Sequence, residues 1–478
     1  MDTTNFLSSH GITVRLELLN KPGVFAEVAE VLADEDANLG AIDIIEVAPD
    51  KLIRDVTFDI TSQGHGQRII EILKKLENVK VVSFSDPVFL LHVGGKIHIQ
   101  SKFPLKTRNQ LSMAYTPGVA KISQAISEDH TKVNTLTIKN NSVAVVTDGS
   151  AILGLGNLGP EAALPVMEGK AMIFKEFADI DAWPICLATQ NVEEIITTVK
   201  NIAPVFGGIN LEDISAPRCF EIESRLKELL DIPVMHDDQH GTAVVILAAL
   251  KNALKIVKKD IREIRVVVNG VGAAGAACCR ILLAAGVRHL LACNRKGVVL
   301  AVGEENLDQA KNDLFSCIEA TNPVMTLREA LHGMDVFIGV SAGNILSIKD
   351  LKKMKENKIV FAMANPDPEV NPYEAFKICR VFATGRSDFP NQINNALAFP
   401  GIFQGALNVR AKEINEEMKL AASDALANLV SENQLSEEYI IPSVFDKRVV
   451  SSVAAAVQEA AHKTRVAREG IGEMVNGT

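Results

Sequence analysis

No CxxC pair occurs in this sequence. Its seven cysteines, at 186, 219, 278, 279, 293, 317 and 379, are dispersed and odd in number. A disulfide framework or a zinc site is therefore not its organising feature, and the thiols are expected to be reduced and in the core. No stretch reaches the ~20 apolar residues that a membrane span needs. The opening residues, MDTTNFLSSHG, have no basic start and no long apolar run, so no signal peptide is expected and the expected compartment is cytoplasmic. No long acidic or basic tail is present either. The net charge of −10 is spread along the chain, which argues against a general nucleic-acid role. Low-complexity blocks and short-period repeats are absent. What remains is 478 residues with 47% hydrophobic content, enough for large cores and about three domains. An acidic chain that binds an anion must gather positive charge locally, from Lys, Arg, a metal or helix N-termini.

Four regions are expected along the chain. Residues 1–90 contain a small α+β unit: ITVRLEL, ANLGAIDIIEV, LIRDVTFDI and VKVVSFSDPVF as strands, GVFAEVAEVLADED and GQRIIEILKKLE as helices. The order is βαββαβ, a recurrent two-layer arrangement. Residues 91–245 are mixed α/β, dense in polar clusters within apolar context. Residues 246–400 alternate regularly between strand and helix (IRVVVNG, AACCRILLAAG, HLLACN, LREALHG, DVFIGVS, KIVFAMANP, RVFATG), which implies a parallel sheet wound by helices. Residues 401–478 are helical and end in an unpatterned IGEMVNGT.

The strand IRVVVN leads into Gly270-Val271-Gly272-Ala273-Ala274-Gly275, and an Ala-rich helix follows. The first glycine permits a tight turn, the second lets backbone approach a pyrophosphate, and the third lets helix and strand pack closely. Strand before, helix after and a second strand ending about twenty residues on make this a dinucleotide site rather than a bare GxGxxG. A second match, Gly154 to Gly159, lies in VAVVTDGSAILGLG, which looks like two short strands joined at Asp148-Gly149; Pro160 follows at once. A glycine-rich turn lining a site is expected there, not a second nucleotide fold. At the end of HLLACN, where a ribose-binding acid is usual, stands Asn294, followed by Arg295 and Lys296. An amide does not repel a 2′-phosphate and the cations could bind one, so either NAD or NADP is expected. A water-facing polar loop is the plainer alternative.

Four clusters lie outside the nucleotide fold: SMAYTPGVA with Tyr115; VMEGKAMIFKEFADIDAWPICL with Lys170, Lys175, Asp179 and Asp181; INLEDISAPRCFEIE with Glu212 and Asp213; and MHDDQHGTA with Asp237 and Asp238. Paired acids at strand ends suit a hard divalent cation, which takes oxygen ligands and leaves positions open for substrate. One such pair is more often a helix cap or a solvated turn. Two pairs beside a nucleotide fold shift the balance.

AYTPGVA, VMEGKA, INLEDI, HDDQHGTA, ANPDPEV, TGRSDFPNQINNALAFPG and IIPSVFD, spread in order over about residues 93–466, resemble the malic enzyme family in its bacterial form. Residues 11–90 separately resemble an ACT domain. The resemblance implies oxidation of L-malate and decarboxylation to pyruvate with NAD or NADP. It implies Mg²⁺ or Mn²⁺ on Glu212, Asp213 and Asp238, with Lys170 as general base in a network with Asp237. It further implies Tyr115 as the acid that protonates C3, and Asn365 and Asn395 as contacts to substrate carboxylate or cofactor. A lysine base needs its pKa depressed by desolvation and the metal's field. Larger eukaryotic members carry a carboxylate-binding arginine in the TDG…LGLG segment; here that stretch is Asp148-Gly149-Ser150-Ala151, so substrate anchoring must differ. Conversion of malate to lactate with a retained cofactor, or a ligand-sensing protein without catalysis, are the alternatives. An ACT-type domain implies a homo-oligomer responding to a small-molecule effector.

Overall fold

The computed structural model describes residues 11–60, 63–85, 87–303 and 325–468; Cys317 and the terminal IGEMVNGT lie outside the described residues. The chain divides into two compact units, Met1–His98 and Ile99–Thr478.

In the smaller unit, period-two alternation builds the sheet. Ile12, Val14, Leu16 and Leu18 of β1 (Gly11–Leu19) are buried while the residues between them face outward. β1 pairs antiparallel with both β3 (Lys51–Asp59) and β4 (Val79–Ser85), and β2 (Leu39–Val47) forms the far edge on β3. Helices α1 (Val24–Asp34) and α2 (Gln63–Leu73) supply Val28, Leu32, Ile69 and Leu73 to the same core. The order is the βαββαβ expected from the sequence. β2 is exposed along its whole length.

The larger unit carries two sheets. The first has the order β6-β5-β7-β8 and is wholly parallel: β5 Ser142–Thr147, β6 Asp181–Cys186, β7 Gly208–Leu211, β8 Val234–His236. Every residue of β5, SVAVVT, is buried, as befits a parallel strand covered on both faces. Helices α4 (Pro160–Ala178), α5 (Val192–Ile202) and α6 (Arg218–Leu229) lie between its strands in the chain; α3 (Arg108–Ala114) precedes it. The chain leaves β5 first toward β6 and then toward β7, so the strand order reverses at the end of β5. Helix α7 (Asp237–Val257) then runs through the core. It is the one described helix long and apolar enough to cross a membrane, and 72% of its most apolar window is buried inside the protein.

The second sheet has the order β11-β10-β9-β12-β13-β14, with β9 Arg265–Asn269, β10 His289–Asn294, β11 Gly297–Val302, β12 Val336–Gly339, β13 Ile359–Ala362 and β14 Val381–Thr384. Five strands are parallel, and the order reverses at β9, directly before the GVGAAG turn and α8 (Ala273–Ala284). β11 runs antiparallel on β10 and was not expected: GVVLAV follows so closely that it returns as a hairpin. Helices α9 (Phe399–Asn408), α10 (Glu416–Asn428) and α11 (Arg448–Lys463) pack back on the core. One local expectation fails. After β5 no second strand forms; a 3₁₀ turn at Ile152–Gly154 follows, because Gly149, Leu153, Gly154 and Gly156 all have positive φ.

Gly275 tests the packing directly. A Cβ there would lie 1.6 Å from the carbonyl oxygen of Gly270. Gly275→Ala must push α8 off its strand, at a cost of about 2 kcal/mol. Thermal unfolding should show the loss and NAD titration at least a tenfold weaker affinity. Unchanged stability and affinity would contradict this packing.

Candidate active site

The acids gather where parallel strands end. Asp148 follows β5, Glu212 and Asp213 follow β7, and Asp237 and Asp238 open α7 directly after β8. Asp148, Glu212, Asp213 and Asp237 are buried, and Asp213 has φ 53, a left-handed backbone that turns the chain back toward β8. The Asp213 backbone N–H donates to Asp238 Oδ2 at 2.8 Å.

Lys170, buried on α4, enters this acidic pocket. Its ammonium lies 2.6 Å from Asp237 Oδ2 and 2.8 Å from Glu212 Oε1, and 4.2 Å from the centre of the Phe399 ring. Burial pushes the ammonium toward neutrality, but Asp237, Glu212 and Asp238 outweigh it and hold Lys170 above the ordinary lysine range. This is opposite to the depressed pKa expected of a base, and the cause is an excess of carboxylate around one cation. Burial in turn lifts Glu212 well above the usual carboxylate range, and burial with the Asp238 charge lifts Asp213 to about 7. Asp213 Oδ2 and Asp237 Oδ1 are buried without a hydrogen-bond partner. The pocket is short of positive charge, and anionic oxygens left over in it fit a hard divalent cation. Among the described residues, no three His, Cys, Asp or Glu side chains already converge as a ligand set.

The remaining candidates fall in different places. Gly270 has φ 104, and a Cβ there would strike Val340 O at 2.6 Å, while Gly272 faces open space at the start of α8. Asn294 Oδ1 accepts the Lys296 N–H at 2.8 Å, so Asn294, Arg295 and Lys296 form the tight turn between β10 and β11. Asn365 lies beside the glycine-rich turn: a Cβ on Gly154 would sit 3.3 Å from its carbonyl oxygen. A Cβ on Gly241 would meet Asp237 Oδ1 and, at 3.3 Å, Asn395 Cβ, which places Asn395 next to the start of α7; Asn394 caps the adjoining turn through Ala396 N. Tyr115, closing α3, is 68% exposed and stands outside the hydrogen-bonded cluster of Lys170 and the acids. Lys175, Asp179 and Asp181 form an ion-paired group at the surface.

Residues 94–227 match the malic enzyme N-terminal domain, residues 239–462 the malic enzyme NAD binding domain, and residues 6–78 the ACT domain. Over 463 residues the chain is 56% identical to an NAD-dependent malic enzyme of Geobacillus stearothermophilus, covering 96% of each chain. The chain belongs to the malic enzyme family. It is also 52% identical to a bifunctional malic/malolactic enzyme of Bacillus subtilis (strain 168), over 78% of this chain and 92% of that one. The crystal structure of an NAD-dependent malic enzyme from Thermotoga maritima superimposes with a TM-score of 0.72 at 48% identity, over 78% of this chain and 99% of that one.

Several residues of this malic enzyme chain escaped the sequence reading. Arg218 reaches Asp148 Oδ2 at 3.0 Å, bringing a cation to the TDG turn that lacks its own arginine. Beneath the start of α7, Glu223 accepts the His236 N–H at 3.2 Å and bonds His240 Nε2 at 2.9 Å, while Lys419 reaches His240 Nδ1 at 3.2 Å. The ammonium only donates, so Nδ1 accepts and Nε2 carries the proton given to Glu223. His240 is thereby a neutral ring of one tautomer, and burial drives its pKa down to about 4. Glu369 lies fully buried beyond the ends of β12 and β13, accepting the N–H groups of Ser341 and Ala364, both at 3.1 Å. The acids of INLEDI and HDDQHGTA drew notice for their ligand chemistry; nothing in spacing told which neighbours lie underneath.

Glu369 gives a pH test. Burial lifts its carboxyl to about 7, above its ordinary 4.5. The folded chain thus holds this proton more tightly than the unfolded one, and the stability so gained is complete below pH ~4.5 and lost as pH rises to 7. Denaturant unfolding of the parent and of Glu369→Gln at pH 5 and pH 8 should show the parent's relative advantage larger at pH 5, by on the order of 2–3 kcal/mol. An advantage that grows toward pH 8 would contradict the assignment.

Proposed function

We propose that the chain oxidises L-malate at C2 with NAD or NADP and releases the C4 carboxyl as CO₂, forming pyruvate. The observation that carries this is the buried Lys170 bonded to Asp237 and Glu212 among five carboxylates at the strand ends. Glu212, Asp213 and Asp238 are the residues that would hold Mg²⁺ or Mn²⁺, and bound there the ion supplies polarisation of the C2 oxygen as it becomes a carbonyl. Lys170, held by Asp237 at 2.6 Å, would take the hydroxyl proton. Gly270, Gly272, Ala273 and Gly275 would cradle the dinucleotide that accepts the C2 hydride. Asn294 and Arg295 at the β10–β11 turn carry no acid to exclude a 2′-phosphate. Asn395, beside Asp237, and Asn365 would orient substrate or cofactor, and Arg218 would balance a substrate carboxylate at the TDG turn. Tyr115, at the end of α3, would protonate C3 of enolpyruvate.

Formation of lactate from malate with retained NAD is the second reading, favoured by the 52% identity to the bifunctional malic/malolactic relative. A ligand sensor without catalysis would not preserve a buried lysine, its paired acids and a nucleotide turn together. The exposed edge β2, with Ile44 at 61% and Val47 at 67% exposure, supports a homo-oligomer built through the ACT-type unit. A small-molecule effector on that unit and a cytoplasmic location complete the proposal.

With malate, Mn²⁺ and each dinucleotide in turn, absorbance at 340 nm should rise and CO₂ and pyruvate should appear. Lactate without net reduced cofactor would select the second reading. Lys170→Ala should cut malate oxidation by ~10²–10⁴; near-normal turnover removes its role as base. Asp238→Asn should lose Mn²⁺ affinity and activity together, since an amide lacks the anionic oxygen a hard cation prefers. Survival of both would show that Asp238 is no ligand.

A further inference from the structure

A second cavity, of about 520 Å³, lies in the larger unit away from the acids. Its lining includes Gly207, which immediately precedes β7, whereas Glu212 and Asp213 follow that strand. The four residues of β7 span ~13 Å, so the cavity opens at the opposite end of the sheet from Lys170.

The wall is cationic although the chain carries a net charge of −10. Lys139, Lys200, Arg410 and Arg468 line it, and among the described residues Asp231, which Arg468 engages, is the one lining carboxylate. Lys139 is half-buried and donates to the carbonyl oxygens of Phe206 at 2.6 Å and Ala203 at 3.1 Å, with no carboxylate on it among the described residues. Burial and the nearby Arg468 charge both press its pKa down. Like charges gathered around a void are an arrangement that a bound anion relieves. Leu230, Ile232 and Leu407 add an apolar floor, and the volume matches small-molecule sites.

We propose that this cavity binds a small polyanion, bearing phosphate groups or several carboxylates, and that its occupancy alters malate turnover. Helix α9 joins the two places. Leu407, near its C-terminal end, lines the cavity. Phe399, its first residue, has its ring 4.2 Å from the Lys170 ammonium and 4.7 Å from the Phe174 ring. A ligand that binds two positions of α9 unequally shifts the setting of Lys170.

The test is calorimetric titration of the full chain, without divalent metal, using inorganic pyrophosphate and citrate as separate probes. Lys200 is exposed on α5 and makes none of the core contacts, so Lys200→Gln folds normally and keeps its malate turnover in the absence of probe. Saturable binding of either probe is expected, weakened about tenfold or more in the double variant Lys200→Gln, Arg468→Gln, and in the same direction in Lys200→Gln alone. Pyrophosphate alone binding assigns a phosphorylated ligand; citrate alone assigns a polycarboxylate. At a fixed concentration of free Mn²⁺, the bound probe should change malate kcat or KM in the parent and less in the double variant, in a manner that excess malate does not relieve. Three outcomes overturn the proposal: no saturable binding of either probe, affinity indifferent to both variants, or displacement of the probe by malate, which places it in the catalytic pocket. Binding that leaves turnover untouched overturns the link through α9.

Discussion

A lysine buried between two carboxylates constrains the rest of this molecule. Breaking a buried ion pair leaves an uncompensated charge and costs ~3–5 kcal/mol, so Lys170, Asp237 and Glu212 must stay together. They come from the middle of α4, the first position of α7 and the end of β7. The pairing therefore fixes the height of α4 on the sheet and the register at which β7 and β8 end. Phe399 and Phe174 pack around it from α9 and α4, edge to face, and close the pocket on its apolar side. The same cluster is out of charge balance, with carboxyl groups lifted toward their neutral forms. Such an imbalance is a cost to the fold that a divalent cation would remove.

A second layer of polar contacts keeps that point rigid. Glu223 holds the backbone N–H of His236, the last residue before Asp237, and is itself held by His240 and Lys227. His240 passes the contact to Lys419, and Lys419 to Glu416 at 2.9 Å on α10. Helix α10 thus supports the turn at Asp237 through a chain of oriented hydrogen bonds. Glu369 does the same work for β12 and β13, tying Ser341 and Ala364 to one carboxyl group.

Much of this architecture was legible in the chain. Alternating burial in ITVRLEL, the continuous apolar run SVAVVT and the strand–GVGAAG–helix unit each carry a period or a turn that only one local structure satisfies. The acid pairs were visible because each follows an apolar strand. Other features depend on contacts between distant segments and leave no local trace. The hairpin strand β11 looks like any apolar run until β10 pairs with it. The TDGSAILGLG stretch has the composition of two strands, yet its glycines and Leu153 take left-handed conformations that end pairing after β5. The direction of the Lys170 shift follows from how many carboxylates surround it, a count that only the fold provides. Tyr115 carries the family motif but stands exposed, a position its sequence context does not betray.

The acids around Lys170 are the proposed cation site. Mn²⁺ binding, followed by electron paramagnetic resonance on the full chain and on Glu212→Gln, addresses this without any turnover. One Mn²⁺ per chain is predicted, with affinity falling at least tenfold in the variant and tightening when malate is added. An absence of saturable Mn²⁺ binding in a chain that still oxidises malate, or binding that Glu212→Gln leaves unchanged, would contradict it.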